Sequence, residues 1–470
     1  MRKKLHRIFQ THILFVIIAL VFGLAFIFVI PPYWGVDEDV HFDRAYQIST
    51  GVLLEKKLPT GLYGGYLPTG IVVLNNDVKS DLLAIKGNVG EVNSRQLNIY
   101  NRLDATKLSG KVQTRDFTGS GVYSPLAYLA PALGIVISRA IDPTVGSVLV
   151  GARLATLFAY VAIVSGALYL LRNHRSRWLV FVVALLPMSI FQASIINVDS
   201  LAIGLSIMLF AQLIVIWTQK KELNNRQLAW LTLTAMGLTL SKPNYFILVL
   251  AICFLPVRLL GQRRKLYVRF LLPILITLVA LFWNHEINNV MTVSSHRLDS
   301  PVFHISASVQ LKHIILHPLN FAYLIVKSLS SDFWDKGVFG VLGYNFVSLP
   351  TFIISYLAIV LSWAAFYKDG IKSSVENVRQ GIVFGCVAVL AGLSIITTLY
   401  LTYNTIGAYI IDGVQGRYFL PILPFMLYGL SQILPIRTSM SERWMKGLLS
   451  CSLIVCLAFS LAWYYKITYG

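Results

Sequence analysis

Apolar positions in this chain fall in long unbroken runs rather than at the period of a half-buried helix or strand. The first run ends at Ile30 and has about nineteen apolar residues, with Arg2, Lys3, Lys4 and Arg7 before it and Pro31-Pro32 after it. A run of about 18 or more such residues predicts a spanning helix, because a helix satisfies its own backbone in hydrocarbon. Further candidates lie at about 146–171, 178–197, 200–219, 227–241, 243–257, 267–290, 349–367, 380–403, 417–435 and 446–466. The pattern predicts an all-α integral membrane protein with about eleven spans, a single polytopic domain over residues 1–470.

Two long stretches interrupt the runs: 31–145 predicts a first extracytoplasmic loop and 291–348 a second. Within or beside them, 123–140 and 306–331 read as interfacial helices on the outer face. The second of these has its helical rhythm broken at His317-Pro318. A cleaved signal peptide is the alternative for the first run. Its apolar region would be about 7–15 residues with a small-x-small site, which Phe26-Ile27-Phe28-Val29-Ile30 does not offer. Residues 227–257 are too few for two full spans of about 20 residues each. A hairpin of short helices turning at Ser241-Lys242-Pro243-Asn244 fits, and it turns Lys242 toward a protein-lined or wet cavity.

Composition narrows the class further. Hydrophobic residues make up 56% of the chain and charged residues 13%, against about 25% charged in a soluble domain. A cytosolic enzyme, a disulfide scaffold and a disordered chain are excluded. The formal net charge is +19, and its distribution matters more than its size. Loops on the N-terminal side of the membrane collect 21 basic and 4 acidic residues, which by the positive-inside rule makes that side cytoplasmic. The basic excess is therefore loop charge and does not point to nucleic acid. Cys253, Cys386, Cys451 and Cys456 all fall in apolar segments without a CxxC pair and read as small buried hydrophobes. Walker, GxGxxG, HExxH and nucleophile-elbow motifs are absent.

Chemistry concentrates just after the first helix. Asp37-Glu38-Asp39-Val40-His41-Phe42-Asp43-Arg44 holds four carboxylates, a histidine and an arginine. In a helix from Asp37, the i, i+4, i+7 spacing puts Asp37, His41 and Arg44 on one face, with Glu38 and Asp39 elsewhere. A carboxylate beside a histidine at a membrane boundary has the makings of a general base; acidic residues at a helix start also simply favour the dipole. The residues alone leave both readings open. A second motif, Gly413-Val414-Gln415-Gly416-Arg417-Tyr418, offers an arginine flanked by glycines that admit a ligand to the backbone, as an anionic oxygen or phosphate requires. Its competitor is a snorkelling arginine with an interfacial tyrosine. Asn197, Asp199, Arg153, Lys242 and the loop from Ser331 to Gly337, with Lys336, add ionisable groups at outer helix ends; each alone reads as an interface anchor. His296, His304, His313 and His317 lack metal-ligand spacing and read as surface residues.

The acidic Asp-Glu-x-x-His motif after a first helix, a long outer loop, Tyr123-Ser-Pro-Leu-Ala-Tyr128 and Arg153 together resemble the GT-C superfamily of polytopic glycosyltransferases. More closely, Ser241-Lys242-Pro243, Phe339-Gly340-x-Leu342-Gly343 and the Gly-x-Gln-Gly-Arg-Tyr signature at 413–418 resemble a bacterial membrane family of unknown function, over about residues 12–435. The superfamily resemblance implies transfer of a sugar from a polyprenyl-phosphate carrier to an acceptor hydroxyl outside the cytoplasm, commonly with inversion. By position it implies Asp37 as base, with Glu38 and His41 orienting it or the acceptor. Arg417 and Lys242 would stabilise the leaving phosphate, with Arg153, Tyr418, Gln415 and Lys336 as further substrate contacts. Asp199 would be a second acidic residue and possible ligand of a divalent cation; no other cofactor is implied. The implied partners are the lipid-linked donor, an envelope glycan or other acceptor, and the bilayer. The rivals are a polysaccharide polymerase or ligase, a flippase for lipid-linked sugars using the broken helices at 227–257, and a non-catalytic assembly partner.

Overall fold

The computed structural model describes residues 10–85, 101–108, 110–219, 221–287, 305–330, 337–343, 347–367, 375–436 and 438–469. Among these, six helices are long and apolar enough to cross a membrane: Thr11–Val29, Val145–Leu170, Asp199–Thr218, Arg264–Glu286, Glu376–Tyr403 and Glu442–Tyr469. The fold is helical and multi-pass, but the eleven expected spans are not established. The other five candidates are short or broken, each for a local reason. Residues 178–197 form two helices, Arg177–Ala184 and Pro187–Ala193, because Pro187 opens the second and cannot continue the first. Residues 417–435 begin as a 3₁₀ turn, Gly416–Phe419, before the helix Leu423–Ile433. Helices Asn225–Ser241 and Thr351–Ala365 are 17 and 15 residues long. The last candidate, 243–257, is a chain of short turns.

The predicted break at 241–243 is present. Helix Asn225–Ser241 stops at Lys242, whose backbone is extended (φ −148°, ψ 104°), and Pro243 opens a 3₁₀ turn. Segment 123–140 is a 3₁₀ turn, Pro125–Tyr128, followed by the helix Leu129–Ile141. That helix lies close against Val145–Leu170. A Cβ on Gly134 would sit 2.2 Å from the carbonyl oxygen of Gly151, so only glycine lets the two backbones approach so far. Its other face, with Leu129, Leu133 and Ile137, is exposed. Helices Ala307–Leu316 and Pro318–Ser330 meet at the expected His317-Pro318 break. All four cysteines are free, but only Cys456 is buried; Cys386 and Cys451 are exposed.

An all-α reading misses a small sheet in the first loop. Strands Lys56–Lys57, Tyr63–Pro68 and Val112–Asp116 pair antiparallel in that order, with Gly64 opposite Asp116 and Pro68 opposite Val112. The helix Glu38–Ser49 lies on this sheet and carries its residues in several directions at once. Asp43, buried, takes Nε of Arg115 at 2.8 Å and Nδ2 of Asn75 at 3.1 Å. Burial is the main influence on the Asp43 carboxyl and pushes it up to about 7, against the pull of Arg115. Arg44, also buried, pairs with Glu55 at 2.6 Å. Arg44 is thus spent on Glu55 and pins the helix to the loop.

Candidate functional site

Four segments far apart in sequence bring charged groups to one place. The first is the start of the outer helix. Asp37 precedes Glu38–Ser49 with left-handed backbone (φ 58°, ψ 18°), and Tyr33 is left-handed too (φ 61°). Side chains with a Cβ seldom hold that conformation, which recurs where function demands it. The second is Asp199, the first residue of its helix. Asn197, two residues before it, accepts from the Ser200 backbone N–H of the first turn at 2.8 Å. The third is Lys242, at the helix break, and the fourth Arg417, in the 3₁₀ turn.

Their geometry is a loose chain of opposite charges. Lys242 Nζ bonds Asp199 Oδ1, and Arg417 Nε lies 3.3 Å from Asp199 Oδ2. Arg417 Nη2 stands 3.6 Å from Asp37 Oδ2, beyond a good hydrogen bond. The Asp37 side chain is half exposed, whereas that of Arg417 is 6% exposed. Arg417 Nη1 is buried with no hydrogen-bond partner among the described residues, so this guanidinium keeps unspent donors. Tyr418 offers its ring to both cations, 4.2 Å from Lys242 Nζ and 5.4 Å from Arg417 Cζ. The Tyr245 hydroxyl donates to the Tyr418 carbonyl at 2.9 Å and fixes that turn. Gln415 Oε1 is buried without a partner among the described residues.

His41 faces the same group. Asp37, Asp199, Arg417 and Lys242 all act on its charge, yet burial dominates and pushes the imidazole down to about 4. Its Nδ1 is 2.7 Å from the Tyr128 hydroxyl. Tyr123 stacks obliquely on it at 5.8 Å between ring centroids, and burial with nearby Asp199 and Asp37 raises the Tyr123 phenol. Tyr123, Tyr128 and Tyr245 received no site role from the sequence. The signal for the first two was the Tyr-x-Pro-Leu-x-Tyr spacing, which marked the segment without revealing its partner.

Glu38 and Arg153 lie elsewhere. Arg153 Nε and Nη2 hold Glu38 bidentately at 2.7 and 2.6 Å. Arg153 also donates to the carbonyls of Ile27, Ile30 and Pro31. Glu38 accepts in addition from the backbone N–H groups of Gly35 and Ile196. Both side chains are almost fully buried and spent on each other and on backbone. Their geometry is that of a brace between the outer helix, the end of the first span and 153, with nothing left over for a substrate. The glycines of the 413–416 motif also serve the chain itself. Gly413 takes φ 82°, and a Cβ on Gly416 would fall 1.7 Å from the carbonyl carbon of Gly337. Gly416 thus admits another stretch of backbone rather than a ligand. Lys336, the residues 331–335, His296 and His304 lie outside the described residues.

Asp199 does not fit a divalent ion. Each of its oxygens already faces a cation, and a third positive charge would be repelled by Lys242 and Arg417. Among the described residues no group of three or more His, Cys, Asp or Glu stands ready to hold a metal.

Long apolar helices, with two carboxylates and two cations gathered where helix ends and loops meet and only Asp37 half exposed, define a multi-pass membrane protein with a charged site. The model of the family DUF2142, predicted membrane proteins, matches residues 20–426, and the chain belongs to that family. No curated protein matches the chain, and no solved structure does.

Proposed function

We propose that this protein is a membrane glycosyltransferase of the GT-C type. It would move a sugar from a polyprenyl-phosphate carrier to an acceptor hydroxyl on the extracytoplasmic face of the cell membrane, in the building or modification of envelope glycans. The observation that carries the reading is the convergence of Asp37, His41, Asp199, Lys242 and Arg417, an acid half open to solvent beside an arginine with an unused donor.

Each residue then has a task. The acceptor hydroxyl gives its proton to the Asp37 carboxylate as its oxygen bonds the anomeric carbon. The bond from that carbon to the phosphate oxygen breaks, and the electron pair leaves with the lipid phosphate. The leaving group gains negative charge beside Lys242 and Arg417. The timing is favourable. Once Asp37 is protonated, Arg417 faces one carboxylate fewer, so its charge is freed for the phosphate as the phosphate becomes more negative. That interaction is stronger in the transition state than in the ground state, the condition for acceleration. Asp199 keeps both cations in place.

An apolar groove of about 400 Å³ supports a lipid donor. Phe246, Ile247 and Leu250 line one wall and Leu390, Leu393 and Thr397 the other. Its first lining residue, Phe246, follows Tyr245, whose hydroxyl holds the Tyr418 turn, and an isoprenoid tail would find an apolar surface there. The test is the sugar composition of surface polymers in a host lacking the gene. Loss of one sugar, restored by wild type but not by Asp37→Asn at equal membrane abundance, is the expected result. Restoration by both proteins would remove the carboxylate from the chemistry.

A further inference from the structure

The transfer uses neither Tyr123 nor Tyr128, yet the turn that carries them is built with care. Ser124 caps it by accepting from the Leu126 backbone N–H, and Pro125 occupies the first position. The two tyrosines then stand on His41, each with its ring centroid 5.8 Å away. The Tyr128 side chain is fully buried, and its hydroxyl has two neighbours, the Ser120 carbonyl oxygen at 3.2 Å and His41 Nδ1 at 2.7 Å.

Proton counting decides how this chain runs. A phenol has one proton, and a carbonyl oxygen only accepts. Both contacts are made at once only when the Tyr128 proton goes to Ser120 and the Tyr128 oxygen accepts from His41 Nδ1–H. Tyr128 holds its proton throughout, because burial raises the phenol well above its ordinary value. His41 is neutral at pH 7 for the reason given above, so its second nitrogen, Nε2, bears the lone pair. No described residue donates a hydrogen bond to it. The ring lies in the field of Asp37, Asp199, Arg417 and Lys242, beside the proposed transfer site.

We infer that Tyr128 locks His41 in the Nδ1–H form and that His41 Nε2 is a hydrogen-bond seat for a substrate hydroxyl next to Asp37. This seat rests on the transfer reading. The reacting hydroxyl gives its only proton to Asp37, so Nε2 takes its hydrogen bond from a second hydroxyl, on the acceptor or on the donor sugar. Tyr128 is a positioning residue; it touches His41, not the substrate.

Solid-state ¹⁵N spectra of the full-length, histidine-labelled protein in lipid vesicles at pH 7 test this, with His41→Gln identifying the His41 pair by difference. The expected spectrum has Nδ1 protonated and Nε2 bare. Tyr128→Phe, which removes the accepting oxygen, should move the population toward Nε2–H. Molar glycerol, a plain polyol probe, should shift Nε2 of the wild type and leave Nδ1 in place. A wild-type ring protonated on Nε2 would overturn the lock, as would a Tyr128→Phe spectrum identical to wild type. An Nε2 signal that ignores glycerol would overturn the seat. The wild-type spectrum and the glycerol shift decide the matter even if Tyr128→Phe fails to fold. None of these readings depends on sugar transfer, so a failure of the transferase reading would show separately, in the polymer analysis.

Discussion

Asp37 and Glu38 are adjacent carboxylates with opposite surroundings. Glu38 is buried, held bidentately by Arg153 and by two backbone N–H groups. Asp37 is half exposed, its nearest cation 3.6 Å away. A buried ion pair with every donor and acceptor satisfied fixes one geometry and has little left to offer a ligand. A loosely paired acid on a left-handed residue, beside an arginine with an unpartnered Nη1, keeps its chemistry available. Neighbouring positions of one motif thus divide structure from reaction, and the division is set by which helix each side chain meets.

The largest effect should come from breaking the brace. Glu38→Gln leaves Arg153 charged and buried without its counter-charge, a loss of about 3–5 kcal/mol for a pair of this kind. Little folded protein should be recovered from membranes, as read by detergent-solubilised size-exclusion profiles. A monodisperse peak at wild-type yield would erase the distinction from Asp37. Asp37→Asn should fold at normal abundance and lose about 10²–10⁴-fold in transfer rate, the usual contribution of a positioned base. The smallest effect concerns His41. Its imidazole titrates at about 4 in the folded protein against an ordinary 6.5. Between these values the unfolded chain binds more protons, so this residue stabilises the fold above pH 6.5 and that stability is lost as pH falls toward 4. Thermal melts of His41→Gln should show a shallower decline over that window than wild type; equal slopes would take His41 out of its buried setting.

Much of this was legible in the sequence, but not evenly. Long apolar runs such as Thr11–Val29 declare themselves, since hydrocarbon thickness sets their length. The break at Lys242-Pro243 was legible because proline cannot continue a helix. The division of 178–197 is written in Pro187 by the same rule, although the apolar run masks it; the two-residue strand at 56–57 is not legible, being decided by its pairing with Tyr63–Pro68. Within the site, Asp37, His41, Asp199, Lys242 and Arg417 stood out as ionisable groups at helix ends. What could not be read was their pairing. Glu38 meets Arg153 across 115 positions of sequence, and Asp199 meets two cations, Lys242 and Arg417. Tyr128 looked like part of a turn, and only its contact with His41 gives it a reason.

The most direct measurement follows the bond that the account says is broken. Full-length protein in vesicles is given polyprenyl-phosphate-linked sugars and an envelope fraction from the host lacking the gene, and release of free polyprenyl phosphate is measured. Wild type should release it while the labelled sugar enters the envelope fraction, and Asp37→Asn at equal protein should do neither. Passage of the intact lipid-linked sugar across the bilayer, with its phosphate bond unbroken, would contradict the account and make this protein a carrier.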